Sequence, residues 1–134
     1  MIFADTGALF AAYVPIDAHA PVARRWLNHN EELLLTTDFV FDELMTLLRS
    51  RGVTERAIAF GRRLLEGSFC RFELVTEEDF DAAWLLFQTH RAREWSFTDC
   101  TSCAVMRRLG ITTAFAFDQH FREMGFEVVP ELST

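Results

Sequence analysis

Residues 2–13, IFADTGALFAAY, contain the pattern that the rest of the chain repeats. The apolar run at the start predicts a short buried strand, which ends at Asp5. The run that begins at Thr6 predicts a helix directly after this acid. A strand that is buried on both faces is continuously apolar, and such strands belong to parallel sheets covered by helices.

The same alternation continues to the end of the sequence. Further strands are predicted in ELLLTT (32–37), CRFELV (70–75), ITTAFAF (111–117) and FEVVPEL (126–132). Helices are predicted in APVARRWLNHN (20–30), DFVFDELMTLLRSRG (38–52), TERAIAFGRRLLEGS (54–68), TEEDFDAAWLLFQTHRAR (76–93), SFTDCTSCAVMRRLG (96–110) and, as a short turn, DQHFREMG (118–125). We therefore expect an α/β fold, with a small parallel sheet flanked by helices on both faces, in a single domain over residues 1–134.

Composition excludes several classes of protein. The net charge is −7, so a purely electrostatic nucleic-acid binder is excluded. No apolar run reaches the roughly 18 residues that a membrane span requires. Three cysteines and no basic leader at the N-terminus favour a cytoplasmic protein without disulfides. All 13 basic residues are Arg, which argues against phosphoacceptor domains, because these usually need a Lys beside the phosphoryl group.

Four carboxylates stand at positions where α/β proteins place function. Asp5 and Asp118 follow predicted strands, and ligands of open α/β sheets bind outside the carboxyl ends of the strands. On a helical projection at 100° per residue, Glu43 lies at the rim of the apolar face of its helix, whereas Asp42 points away. Asp99 lies on the less polar face of its helix, where an uncompensated charge is costly.

Each of these acids has an ordinary explanation as a helix cap, and Ser96 with Asp99 has the spacing of a capping box. Four carboxylates that converge on one edge would nevertheless repel each other without a cation. Oxygen ligands of this kind suit Mg²⁺ or Mn²⁺, which position phosphodiesters and activate water. The residues alone thus leave two hypotheses open: independent caps, or a divalent-metal site.

The chain resembles the PIN domain family, and within it the VapC-like ribonuclease toxins of prokaryotic toxin–antitoxin pairs. The resemblance runs nearly end to end. It is carried by IFADTGALFAAY (2–13), TTDFVFDELMTLL (36–48), WSFTDCTSCAVMRRLGI (95–111) and TTAFAFDQHFREMGFEVVP (112–130).

Membership of this family implies a metal-dependent endoribonuclease that cleaves single-stranded RNA, with Mg²⁺ or Mn²⁺ as cofactor. It also implies a homodimer and an antitoxin protein as partners. The acidic quartet of the family, which would be both catalytic and metal-binding, matches Asp5, Glu43, Asp99 and Asp118. Thr6 matches a hydroxyl position that supports the site, and the candidates for contact with RNA phosphates are Arg49, Arg51, Arg91 and Arg93.

Two kinds of alternative remain at this stage: a site built on the cysteines, and a protein without catalytic activity. Cys100 and Cys103 form a C-x-x-C pair, but Asp99 would raise the pKa of the first thiol, which disfavours a redox site. A zinc site that joins this pair to His90 or His120 lacks a second ligand cluster. A catalytically inactive binding module with the PIN fold is the other alternative.

Overall fold

The computed structural model describes residues 1–132 and contains a five-stranded sheet. The strands are β1 (Ile2–Ala4), β2 (Leu34–Thr37), β3 (Arg71–Glu73), β4 (Thr113–Phe115) and β5 (Glu127–Val129). The helices are α1 (Thr6–Tyr13), α2 (Ala20–His29), α3 (Asp38–Ser50), α4 (Thr54–Leu65), α5 (Glu77–Thr89), α6 (Phe97–Leu109) and α7 (His120–Glu123). Within this part of the chain, no helix combines the length and the apolar character needed to cross a bilayer.

The sheet is parallel throughout, with strand order β3-β2-β1-β4-β5. The chain moves from β1 outward through β2 to β3, and then crosses back to add β4 and β5 on the other side. Because parallel crossovers are right-handed, the reversal sends α5 to α7 to the face opposite α1 to α4. The predicted fold is confirmed: a three-layer α/β/α arrangement with helices on both faces.

Large apolar side chains from the central strands and the helices fill the two layers of the core. Phe3, Leu35 and Phe115 are fully buried within the sheet. Leu44 covers it from α3 and Val105 from α6. The central strand β1 is therefore buried at all three of its positions and is a continuous apolar run, whereas the edge strand β3 alternates polar and apolar residues.

Side-chain caps fix where three of the helices begin. Thr37 Oγ1 accepts a hydrogen bond from the N–H of Val40 at the start of α3. Reciprocal capping boxes start α5, through Thr76 and Asp79, and α6, through Ser96 and Asp99. In contrast, α4 begins at Thr54, and its N-cap Val53 makes no side-chain hydrogen bond.

Candidate active site

The centre of the candidate site lies where β1 and β4 end side by side. Ala4 pairs with Phe115, and the N–H of Asp5 donates to the carbonyl oxygen of Phe115 at 3.0 Å. Asp118 follows β4 by three residues. The direction of chain progression reverses between these two strands, and such a switch point leaves a crevice at the carboxyl edge of a parallel sheet. Both predicted strand-end acids therefore belong to the same edge.

Glu43 reaches this edge from α3, which starts immediately after β2. The side chain is half-buried, whereas its neighbour Asp42 is exposed, as the helical projection predicts. The negative charge of Glu43 is the smallest of the contributions that raise the pKa of Asp5.

Asp99 enters from the first turn of α6 and is 5% exposed. Its Oδ2 accepts the backbone N–H of Ser96 at 2.9 Å, which completes the capping box. The same oxygen lies 2.7 Å from Nδ1 of His120. The cap and the acidic cluster are thus compatible, because one carboxylate serves both.

The electrostatics indicate an excess of negative charge at this edge. Burial is the main reason that the pKa of Asp5 lies well above its usual value, and the charges of Asp118 and Asp99 raise it further. Burial also raises the pKa of Asp118; the N–H of His120 opposes this shift and the charge of Asp99 adds to it. Ionised carboxylates are therefore unfavourable here unless a cation compensates them.

His120 is a component of the cluster that sequence analysis missed, having considered it only as a partner of the cysteines. It is the first residue of α7, and its N–H donates to Oδ1 of Asp118 at 3.0 Å. Burial alone would lower the pKa of the imidazole, but the charges of Asp118 and Asp99 outweigh burial and raise it. The sequence signal for His120 was its spacing of two residues from Asp118. This spacing becomes informative only when the turn before α7 brings the imidazole close to Asp99.

The donor atoms fit a hard divalent cation. One ligand atom each from Asp99, Asp118 and His120 lie within 4.8 Å of one another. Asp5 and Glu43 lie outside this three-residue group, but carboxylate oxygens such as theirs are the ligands that Mg²⁺ and Mn²⁺ prefer. Within residues 1–132, the hydroxyls of Thr6 and Ser102 are buried and have no hydrogen-bond partner. Thr6 follows Asp5 directly, so an unsatisfied hydroxyl accompanies the buried acid.

The four candidate arginines separate into two pairs. Arg49 lies in the last turn of α3 and Arg51 directly follows this helix, whereas Glu43 lies in its first half. Arg91 and Arg93 lie in the connection from α5 to α6. Of the four, Arg93 lines a polar pocket together with Gln119 and His120.

A bridge between α7 and this connection fixes the position of Arg93. Its Nη1 lies 3.2 Å from Oε2 of Glu123, and Nε1 of Trp95 donates to Oε1 of the same carboxylate at 2.9 Å. The guanidinium also lies over the Trp95 ring. Arg93 is therefore an anchor for α7 as well as a candidate for phosphate contact.

The cysteines are packing residues rather than a reactive pair. Cys100 and Cys103 are buried in α6 as free thiols. Burial, followed by the charge of Asp99, raises the pKa of Cys100 to about 11. Burial also raises the pKa of Cys103. Because the thiolate is the reactive form, this environment counts against redox chemistry.

Comparison with known proteins places the chain in a family. The model of the PIN domain matches residues 2–127. The 23S rRNA-specific endonuclease VapC20 of Mycobacterium tuberculosis is 39% identical over 132 residues, which cover 98% of this chain and 100% of that protein. The chain belongs to the PIN domain family.

Solved structures agree with this assignment. The crystal structure of M. tuberculosis VapC20, described as a toxin that cleaves the sarcin–ricin loop, superposes with a TM-score of 0.89 at 36% identity. That match covers 94% of this chain and 96% of the other. FitAcB from Neisseria gonorrhoeae superposes with a TM-score of 0.70 at 17% identity over 96% of each chain, a similarity of fold.

Proposed function

We propose that the protein is an Mg²⁺- or Mn²⁺-dependent endoribonuclease that cleaves single-stranded RNA as the toxin of a toxin–antitoxin pair. The observation that carries this proposal is the grouping of Asp99, Asp118 and His120 within 4.8 Å, together with a buried Asp5 whose pKa is raised by burial and by the charges of Asp118 and Asp99. The similarity to an rRNA-specific endonuclease over almost the full chain supports the choice of RNA as substrate.

Each residue has a distinct role in this proposal. The four carboxylates would bind one or two ions, and Thr6 would support Asp5. His120 would hold the carboxylate of Asp99, to which its ring lies 2.7 Å away. A divalent ion bound here supplies Lewis acidity, which polarises a phosphodiester and lowers the pKa of an attacking water.

The overall negative charge requires local compensation for RNA to approach. We assign phosphate contact first to Arg93, which lines the pocket that includes His120, then to Arg91, which lines a neighbouring pocket with Arg93, and give Arg49 and Arg51 a lesser role. Guanidinium groups suit this task because they can bind phosphate oxygens in a bidentate manner.

The partners follow from the family. We propose a cognate antitoxin, a homodimer, and action in the cytoplasm, where the RNA substrate is found. We also propose that residues 1–134 form one domain, since both layers of the described part share the same central sheet.

The decisive test is a cleavage assay on defined RNAs with wild type and Asp99→Asn, each with and without chelator. We expect cleavage by wild type in Mg²⁺ or Mn²⁺, none with chelator, and a loss of at least about 10²-fold for Asp99→Asn.

Two matched controls sharpen the assay. Asp42→Asn removes an exposed carboxylate beside Glu43 and should leave cleavage intact. Asp79→Asn removes the other capping-box carboxylate of the same type and controls for the loss of a helix cap. Full activity of folded Asp99→Asn would refute the assignment. A folded, metal-stabilised wild type that cleaves no RNA would favour the inactive binding module.

A further inference from the structure

His19 and Phe117 form a stacked pair of rings beside the acidic cluster. Their ring centroids lie 4.4 Å apart, and the two planes are inclined by only 7°. His19 lies in the connection between α1 and α2, whereas Phe117 follows β4 and directly precedes Asp118. Because consecutive Cα atoms are about 3.8 Å apart, the backbone of Phe117 adjoins that of one of the four acids. The pair therefore borders the carboxyl edge of the sheet.

The pair rests on aromatic residues of the core. The ring of Phe117 packs edge-on against Phe115, with centroids 6.2 Å apart, and Phe115 stacks on Trp26 of α2 at 4.6 Å. Phe115 is fully buried, Phe117 is half-buried and His19 is exposed. His19 is therefore the outermost ring of this series: Phe117 covers one face of the imidazole, and the opposite face is left to solvent. A ring that is already held in place loses little entropy when a ligand covers it.

The start of α2 does not explain the imidazole. His19 is the N-cap residue of this helix, a position where Ser, Thr, Asp and Asn are preferred, but its side chain makes no capping hydrogen bond. The first turn contains Pro21, which favours a helix start by itself. The N–H of His19 donates to Oδ2 of Asp17 at 2.9 Å, a backbone contact that does not require histidine. What the side chain adds is the stack on Phe117.

The surroundings of the pair favour an uncharged ligand with a flat ring. Asp17 lies two residues before His19, and Asp118 directly follows Phe117. The carboxylate of Asp17 already accepts a hydrogen bond at the beginning of α2, where an anion could otherwise bind. A phosphate would be repelled here, whereas a nucleobase is neutral and stacks on the faces of aromatic side chains, including histidine. The pair is thus suited to a base of an RNA strand rather than to its phosphate.

We propose that His19 and Phe117 form a stacking platform for one unpaired nucleobase of the RNA, next to the phosphodiester that the acidic cluster would cleave. The inference rests on the nuclease function proposed above and adds a contact that recognises the substrate as single-stranded. A base in a duplex is stacked on both faces and paired, so it must leave the helix before it can contact His19. A base in a loop or a single strand is free to stack on an aromatic ring.

The first experiment measures the binding of a fluorescently labelled single-stranded RNA by anisotropy in Mg²⁺, in an Asp99→Asn background that keeps the RNA intact. His19→Ala should raise the dissociation constant about tenfold, because one stack between a base and an aromatic ring is lost. His19→Phe retains a flat ring and should bind within about twofold of the His19 protein. His29→Ala, at another exposed histidine of α2, is the matched control and should bind unchanged. Circular dichroism checks that each variant is folded.

The second experiment identifies the base that stacks. A series of RNAs carries one abasic site at each position in turn, and each RNA is titrated with the His19 protein and with His19→Ala. At one position, the advantage of His19 should disappear, because the base that contacts the ring is missing. At every other position, the advantage should persist. The bond that the wild type cleaves should adjoin this position, on its 5′ or its 3′ side.

The outcomes separate the platform from the nuclease. Equal binding by the His19 protein and His19→Ala would overturn the platform. A loss that His19→Phe does not rescue would also overturn it, since the effect would then come from the imidazole nitrogens and not from stacking. An advantage that survives at every abasic position would exclude a base contact, and a cleaved bond remote from the sensitive position would exclude the placement beside the acids.

Two further outcomes concern the proposed function. A position-specific loss of binding with a wild type that cleaves no RNA would support the platform and refute the nuclease. Cleavage by a wild type whose RNA binding does not depend on residue 19 would support the nuclease and refute the platform. A folded wild type that binds no RNA would refute both.

Discussion

Asp99 illustrates how one residue combines a structural and a chemical task. Its Oδ2 accepts the N–H of Ser96, which starts α6, and also meets the imidazole of His120. Sequence analysis held the cap and the metal site as competing hypotheses. The geometry accommodates both, because a carboxylate has two oxygens and about four lone-pair directions.

Asp5 leads to a prediction about stability. Its pKa in the folded protein is raised well above the ordinary value of an aspartic acid, mainly by burial. The folded state therefore binds the proton more tightly than the unfolded state. The stabilising contribution is complete below the unfolded pKa and is lost as the pH rises through the folded pKa. Asp5→Asn should raise the melting temperature of the metal-free protein at neutral pH by roughly 3 °C or more.

Calorimetry in chelator checks this prediction, and the gain should shrink as the pH is lowered to about 4. Saturating Mn²⁺ should reverse the order, because an ion that binds only the folded state stabilises the wild type. Asp42→Asn should have little effect in either condition. A lower melting temperature for metal-free Asp5→Asn at neutral pH would show that the carboxylate charge is already compensated.

Residue identity and spacing indicated the four acids, because Asp5 and Asp118 follow strands, and Glu43 and Asp99 lie at or beside the apolar faces of their helices. The same reasoning could not find His120. A histidine two residues after an acid becomes relevant only when the turn before α7 brings its ring within 2.7 Å of Asp99, which lies in a different part of the sequence.

At the level of elements, α7 is a single turn that depends on other parts of the molecule for its position. Glu123 joins it to Trp95 and Arg93 in the connection before α6. Trp95→Phe removes the Nε1–H donor and keeps most of the ring. We expect kcat for RNA cleavage to fall about threefold to tenfold, and the metal concentration for half-maximal activity to rise, because His120 and Asp118 lose rigidity.

Trp84→Phe is the matched control for this change, since it replaces another tryptophan by phenylalanine, on α5 rather than beside α7. Steady-state kinetics at several Mn²⁺ concentrations measure both quantities. If Trp95→Phe lowers thermal stability but leaves kcat and the metal dependence unchanged, the bridge contributes to folding and not to the site.

Arg108 ties the end of α6 to the beginning of α5. Its Nε and Nη2 each lie 2.9 Å from an oxygen of the buried Asp79, and the guanidinium also contacts Glu73. Arg108→Ala should lower the free energy of unfolding by about 2 kcal/mol, because it leaves a buried carboxylate without its counter-ion. Urea denaturation measures the loss, and Arg107→Ala, at the exposed neighbour, should stay within about 0.5 kcal/mol.

The same ion pair gives a pH dependence of opposite sign to that of Asp5. Burial alone would raise the pKa of Asp79, but hydrogen bonds from Arg108 and Thr76 outweigh it and lower the pKa below 3.8. Its stabilising contribution is present above the unfolded pKa and is lost as the pH falls through the folded pKa. The difference between wild type and Arg108→Ala should therefore narrow in acid, and a constant difference would contradict the pairing.

Most element positions followed from local signals. The spacing of Ser96 and Asp99 indicated the capping box that begins α6, and a glycine ends this helix. Gly110 has φ 70°, a left-handed conformation that favours glycine at a helix end. Local signals did not reveal that Arg108 pairs with Asp79, because this contact depends on how α5 and α6 pack.

For the whole molecule, alternating strands and helices predicted the class, but the strand order needed tertiary information. Neither periodicity nor caps specify that β1 lies between β2 and β4. That placement is what turns acids from distant segments into one cluster. The exposure of Phe80, Trp84 and Phe87 on α5 likewise depends on how the helices pack, and local patterns do not reveal it.

The pairing of β1 with β4 sets residue 3 beside residue 114, so one of the two neighbours of the first strand is synthesised near the end of the chain. A chain that has been translated only through β3 contains Asp5 and Glu43 but neither Asp99 nor Asp118. For a protein whose proposed substrate is RNA, the proposed site is therefore incomplete during synthesis until α6 and β4 have been made and have joined the sheet.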